Sequence, residues 1–209
     1  MSPRGRSAAQ GKRAAILEAA LRLFGQYGYK RTSIDDIAAE ADIAKGSVYL
    51  VFASKEEIFR ALCEDIVRRV EAEAVRARDS DASLPDRILG ILQAKFGFYF
   101  ETVQKSPHAA ELMDSKNRLS AGLFEKSDRR YQRILRDAIE AAAARGEIAP
   151  QRHGLAPAAI VELLLAGAYG IEHSATSSAI LQRRMAELVN VVLAGIHPGE
   201  EKTAASVTD

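Results

Sequence analysis

A single cysteine, Cys63, in 209 residues excludes an internal disulfide framework. There are only six prolines and fourteen glycines. No run alternates apolar and polar residues long enough to predict a β-strand. A bilayer requires about 20 predominantly apolar residues in succession. The most membrane-like stretch, residues 154–171, is interrupted by Pro157 and Glu162 and reads as a buried helix. Residues 1–12 are polar and lack the apolar core of a signal peptide. The expectation is a cytoplasmic protein with no membrane association. His108, His153, His173 and His197 have neither an i,i+4 partner nor an acidic companion at ligand spacing, so no metal site is expected. Nucleophile elbows, P-loops and dinucleotide fingerprints are also missing, as is any grouped acid, base and nucleophile. Catalysis is therefore the least favoured class, and no cofactor is expected.

What is present favours helix: 47% hydrophobic residues, with Ala, Leu, Ile, Glu and Arg frequent. The fold class expected is all-α. Residues 1–11 read as a disordered, Arg-containing arm. A helix follows from Lys12, with Ile16, Leu17, Ala20, Leu23, Phe24 and Tyr27 on one stripe and Gly28 as its stop. A second helix starts at Ser33, an N-cap, with Asp36 near the positive helix end. Ser54-Lys55-Glu56-Glu57 has capping-box spacing and opens a helix to about Arg78, roughly 36 Å long. Pro85 starts the next helix, which Ser106-Pro107 breaks before a short one. Further helices are expected over about 117–145, 157–173 and 177–196, with a polar tail beyond.

The net charge of +1 hides an asymmetry. Through Lys55 there are nine basic and five acidic residues; the remainder carries twenty basic and twenty-three acidic. Attraction for phosphate is thus concentrated at the N-terminal end.

That end also holds the most specific motif. Residues 32–59, TSIDDIAAEADIAKGSVYLVFASKEEIF, read as a short helix, a tight turn, a very short helix and the start of a long one. A short polar helix presented after a tight turn has the form that enters a DNA major groove. Within it, ADIAKGSVYLVF and the following Ser54-Lys55-Glu56 resemble the turn and recognition helix of the TetR family of bacterial transcription repressors. The family pattern runs A-G-V-S-K-G-T-(L/V)-Y-x-(Y/H)-F-x-(S/N)-K-E. Lys45, Gly46, Ser47, Val48, Tyr49, Phe52, Ser54, Lys55 and Glu56 fall in place. The resemblance implies that Thr32, Tyr49 and Lys55 hold phosphates beside Ser33 at the helix cap. Lys45, Ser47 and Leu50 would meet base edges, and Gly46 would allow close backbone approach. Arg4, Arg6, Lys12 and Arg13 either track DNA or form a solvated tail. Three departures bear on the operator sequence. Asp42 stands where glycine is common, Ala44 replaces a Ser/Thr cap, and Leu50-Val51 replace polar or aromatic residues.

Beyond the motif, the resemblance implies an effector-binding and dimerisation unit. Candidate effector residues are Ile66, Val70, Leu92, Phe96, Tyr99, Phe124 and Tyr169, although aromatic stripes at helical spacing also build ordinary cores. Few charges interrupt these stripes, so the effector is expected to be apolar or amphipathic. For the last helix pair, Leu164, Gly167, Leu181, Met185, Leu188 and Val192 are dimer-interface candidates, the alternative being an intramolecular core. Cys63 reads as a small core residue.

The expected division is residues 1–53 for the arm and a three-helix, helix-turn-helix DNA-binding domain, 54–196 for a larger effector-binding and dimerisation domain, and 197–209 for a flexible tail. The expected function is ligand-responsive transcriptional regulation, most simply by a homodimeric repressor on a palindromic double-stranded DNA operator. The alternative is a helical small-molecule-binding protein without specific DNA binding.

Overall fold

A computed structural model describes residues 3–104, 108 and 122–198, with side chains from residue 10 onward except at 103 and 104. Eight α-helices and no β-strand occur among the described residues. They are α1 (Pro3–Tyr27), α2 (Ile34–Glu40), α3 (Lys45–Tyr49), α4 (Lys55–Arg78), α5 (Leu84–Leu92), α6 (Leu123–Ala144), α7 (Pro157–Ser174) and α8 (Ser178–Gly195). None is long and apolar enough to cross a membrane.

Helix α1 begins at Pro3 and not at Lys12, so the segment expected to be disordered is helical from its third residue. Proline suits the first helical turn, and the Ala, Gln, Lys and Arg residues that follow are compatible with helix despite Gly5 and Gly11. Tyr27, expected on the buried stripe, is instead half-exposed at the helix end. The short helix expected after Pro107 and residues 117–121 of the next one lie outside the described residues.

The other boundaries follow their caps. Ser33 accepts from the Asp36 N–H and Asp36 returns a bond to the Ser33 N–H, a complete capping box. Ser54 accepts from the Glu57 N–H, while Glu57 reaches one residue further back, to the Ala53 N–H at 2.6 Å. Ser83 and Ser177 cap α5 and α8 by the same side-chain device. After α5 the helix continues in π-helical turns at Gln93–Gly97 and Phe100–Gln104, which sequence periodicity did not predict.

Two hydrophobic cores result. The first collects Ile16, Leu17, Phe24, Ile37, Val48, Phe52, Ile58 and Phe59 from α1 to α4. The second collects Val70, Ile88, Leu92, Phe96, Tyr131, Leu135, Leu164 and Met185 from the remaining helices. Helix α4 belongs to both: Cys63 and the residues before it pack into the first, Val70 and Ala74 into the second. Asp65 lies between these groups, buried, with its carboxylate paired to Arg68 and, at 2.6 Å, to Arg69. Both arginine side chains are exposed at their outer ends, and their charges offset part of the cost of removing this carboxylate from water.

Candidate nucleic-acid interface

Helix α3 is too short to be stable alone, so the first core must hold it. Val48 is fully buried and Phe52, just past the helix, nearly so. In the same core the rings of Phe24, Tyr29 and Phe59 meet tilted or edge-on, with centroids 5.1–6.1 Å apart. Entry to α3 is set by the turn at Asp42, whose φ of 53° makes it the one non-glycine residue in the left-handed region among those described. The Ile43 N–H donates to the Ala38 carbonyl at 3.0 Å and closes that turn. Ala44 caps α3 without a side-chain bond, as its methyl requires.

With Val48 anchored inward, helical geometry sends Lys45, Gly46, Tyr49 and Leu50 outward together. Tyr49 is 49% and Leu50 87% exposed, and a Cβ on Gly46 would meet nothing within 4 Å. Ser47 sits at the half-buried flank of this face. The Lys45 ammonium is 2.8 Å from Asp35, whose hydrogen bond and charge hold the lysine above its ordinary pKa. Both groups lie in solvent, so the pair is weak and exchangeable.

Three other expected contact residues have a different placement. Thr32 is buried, and its hydroxyl donates to the Gly28 carbonyl at 2.9 Å. The Lys55 ammonium donates to the carbonyls of Tyr29 and Thr32, each at 2.9 Å, and lies 4.5 Å from the Tyr29 ring centre. The Ser33 hydroxyl belongs to the capping box. These bonds tie the α1–α2 loop to the start of α4 and cap α2. On α1, Lys12 is exposed and Arg13 lies over the Phe52 ring at 5.7 Å. The side chains of Arg4 and Arg6 fall outside the described residues. Burial, reinforced by Glu56, pushes the Tyr29 phenol up to about 12.

The effector candidates divide between the cores. Ile66 and Phe124 pack against the first, whereas Val70, Leu92 and Phe96 belong to the second. Phe96 also borders a cavity of about 180 Å³ with Gln93, Gly97, Glu101, Leu181 and Met185. Tyr169 is half-exposed and meets Phe96 edge-on at 5.0 Å. Burial is the main cause of a rise in the Tyr99 phenol to about 12. Sequence reasoning missed the charged group among them. The Lys95 ammonium is 2.7 Å from Asp128 and donates to the Tyr169 hydroxyl at 2.9 Å. It faces the rings of Tyr131, Tyr169 and Phe96 at 5.1, 5.2 and 5.7 Å. Burial works against the charged lysine, but the bonds to Asp128 and Tyr169 outweigh it and raise its pKa. The available signal was one lysine within the otherwise uncharged run ILQAKFGFYF.

The interface candidates divide by burial. Leu164, Leu181 and Met185 are buried in the chain's own core. The Leu181 and Met185 side of α8 continues inward through Val189 and Leu193, four residues apart at each step. Gly167 permits close approach within the chain, since a Cβ there would lie 2.7 Å from Leu188 Cδ1. Leu188 and Val192 are half-buried on the flank. The exposed apolar side chains of this pair are Leu163 and Val191, with Tyr169 nearer the end of α7.

Residues 16–62, which comprise most of the first core, match the family model of bacterial regulatory proteins, tetR family. Over this segment the chain is similar to the DNA-binding unit of that family. The chain is 39% identical over 70 residues to the uncharacterized HTH-type transcriptional regulator YhgD of Bacillus subtilis, which is 34% of this chain and 36% of that protein. It is 26% identical over 186 residues to the A-factor receptor protein of Streptomyces griseus, covering 88% of this chain and 64% of that one. The matches therefore span between about a third and two thirds of these relatives' lengths. The same fold over nearly the whole chain is seen in the SmeT–triclosan complex, with a TM-score of 0.67, 22% identity and coverage of 95% of this chain and 97% of that one. SmeT is the repressor of the Stenotrophomonas maltophilia multidrug efflux pump SmeDEF.

Proposed function

We propose that this chain is a DNA-binding transcriptional regulator of the tetR family, acting as a repressor that leaves its operator when a small apolar or amphipathic effector binds. One observation carries the reading. Helix α3 presents Lys45, Gly46, Tyr49 and Leu50 on a single exposed face while Val48 and Phe52 root it in a rigid core. Tyr49 and Lys45 supply donors for phosphate and base edges, Gly46 allows close approach, and Leu50 meets a thymine methyl, with Ser47 at the flank. Thr32, Ser33 and Lys55 act as supports that set the angle of α3. The two cores support a DNA-binding unit followed by an effector and dimerisation unit, with α4 running through both.

The proposed homodimer joins α7 and α8 of two copies through Leu163 and Val191, flanked by Leu188 and Val192. Two copies of α3 then read a palindrome at a spacing of about 34–36 Å, one turn of DNA. The effector binds among Phe96, Tyr99 and Tyr169; the SmeT complex with triclosan supports an aromatic, largely apolar class of ligand. Such an effector releases DNA to the extent that it prefers the other orientation of α4. The proposed setting is the cytoplasm, and no catalytic role is assigned.

Fluorescence anisotropy on a fragment recovered from genomic DNA tests the contact assignment. Lys45→Ala should lower affinity about tenfold and reduce the slope of log affinity against log salt by about 1. Tyr49→Phe should weaken binding by less. Unchanged affinity and salt slope in both variants would remove α3 from the interface. Binding without sequence preference would instead favour a small-molecule-binding protein, a reading to which the uncapped α3 and the apolar Leu50 give some support.

A further inference from the structure

Lys95 is held in a manner that a simple strut between helices does not require. Pairing with Asp128 at 2.7 Å would by itself tie α6 to the π-helical turn Gln93–Gly97. Three aromatic rings nevertheless surround the ammonium, and no other described lysine or arginine has more than one ring contact. Rings around a positive charge, closed by a carboxylate, form a host for a cation, and the attraction grows when water is excluded. Here the guest is the chain's own side chain.

The geometry also provides a way in. Phe96 and Tyr131 form an inner wall that is almost fully buried, and Tyr131 is fixed there by donating to the Ile91 carbonyl at 2.8 Å. The outer wall is open: the Asp128 side chain is 50% exposed and Tyr169 is half-exposed. A cation arriving from solvent therefore meets the carboxylate and the Tyr169 ring first. The four-carbon stem of Lys95 is flexible enough to withdraw its ammonium. An arriving carboxylate would instead have to sit beside Asp128 on the same ammonium, and two adjacent carboxylates disfavour each other's charge.

We propose that Phe96, Tyr131, Tyr169 and Asp128 form a binding site for the head group of an organic cation, which displaces the Lys95 ammonium. Lys95 acts as a tethered competitor that keeps the box filled and sets the affinity threshold. The inference rests on the effector-binding reading and narrows it, from an apolar or amphipathic effector to a cationic amphiphile.

Calorimetry on the full chain, without DNA, tests it with hexyltrimethylammonium and, as the oppositely charged control, hexanoate. The cation should bind once per chain, and about tenfold more tightly in Lys95→Ala, where the competitor is gone. Adding Asp128→Asn to Lys95→Ala should reverse that gain. Lys95→Met, which keeps the stem but loses the charge, should also tighten binding, and helical circular dichroism identifies variants that remain folded. No cation binding to either native or Lys95→Ala protein overturns the proposal. So does hexanoate binding that Lys95→Ala abolishes, because the lysine would then be an anchor for acids. Operator release is read separately. Cation binding that does not release DNA keeps the box and refutes the effector reading, whereas release by a metabolite extract with no cation binding does the opposite.

Discussion

The two cores of this chain encode their sites in different ways. In the first, the groups that shape the DNA-facing helix lie close in sequence: Ser33 with Asp36, Ser54 with Glu57, and Lys45 with Asp35 ten residues away. In the second, the Lys95 cluster joins residues 33 and 74 positions apart. The first site is a local motif on a small scaffold. The second exists only after α5, α6 and α7 have packed. Local encoding constrains nearly every residue of a short segment, while assembly from distant helices leaves room for each position to vary. It follows that the DNA-facing unit should respond to changes in caps and turns, and the second unit to changes in packing.

The largest effects test whether the cores are energetically separate. Phe59→Ala, within the ring cluster of the first core, should cost about 3–5 kcal/mol in denaturant unfolding. Phe96→Ala should cost a similar amount in the second core. Amide hydrogen exchange then sharpens the comparison: Phe96→Ala should leave protection of α2 and α3 almost unchanged. Equal loss of protection in both units would mean that α4 fuses them into one cooperative body.

Smaller effects address the local encoding of the first unit. Ala44→Ser supplies the missing cap where the backbone is already extended, with φ −65° and ψ 140°, and should stabilise by about 1 kcal/mol. Asp42→Gly relieves a left-handed aspartate at φ 53° and should add about 0.5–1 kcal/mol, less the entropy that glycine loses on folding. Thermal unfolding measures both; a gain from neither would mean that α3 is held by its core anchors alone.

The smallest effect is a pH dependence. The backbone N–H of Ser33, then its hydroxyl, hold the Asp36 carboxyl below its ordinary range. A lowered folded-state pKa stabilises the fold above the unfolded value, and that contribution is lost as pH falls through the folded value. The first turn of α2 should therefore loosen below about pH 4. The Ser33 amide resonance reports this directly. Ser33→Ala, which keeps the backbone donor but loses the hydroxyl, should weaken the transition, and Asp36→Asn should remove it.

Caps made the helix boundaries readable from sequence, because a serine followed three residues later by an acid has one good local geometry. Ser33 and Ser54 cap where expected, and Ser177, with no acid at that spacing, caps the start of α8. The start of α1 was misjudged because arginine, serine and glycine in a short segment resemble a tail, although nothing after Pro3 forbids a helix. The hydrogen-bond partners of Thr32 and Lys55 were hidden for a different reason. A motif identifies the residue type needed at a position but not which neighbouring carbonyls its polar atoms bond. On α8, apolar residues at 181, 185, 188, 192 and 196 satisfy helical spacing on two overlapping faces, and only packing separates the inner from the outer one. The π-helical turns that carry Lys95 and Phe96 have no periodic signature at all.

The measurement that tests the central claim most directly is selection of bound fragments from the organism's own DNA, with and without a metabolite extract. The account predicts enrichment of a palindrome by the native chain, loss of that enrichment with Lys45→Ala, and release of the native chain by the extract. Failure of folded, dimeric protein to enrich any sequence would contradict it and leave a ligand-binding helical protein without an operator.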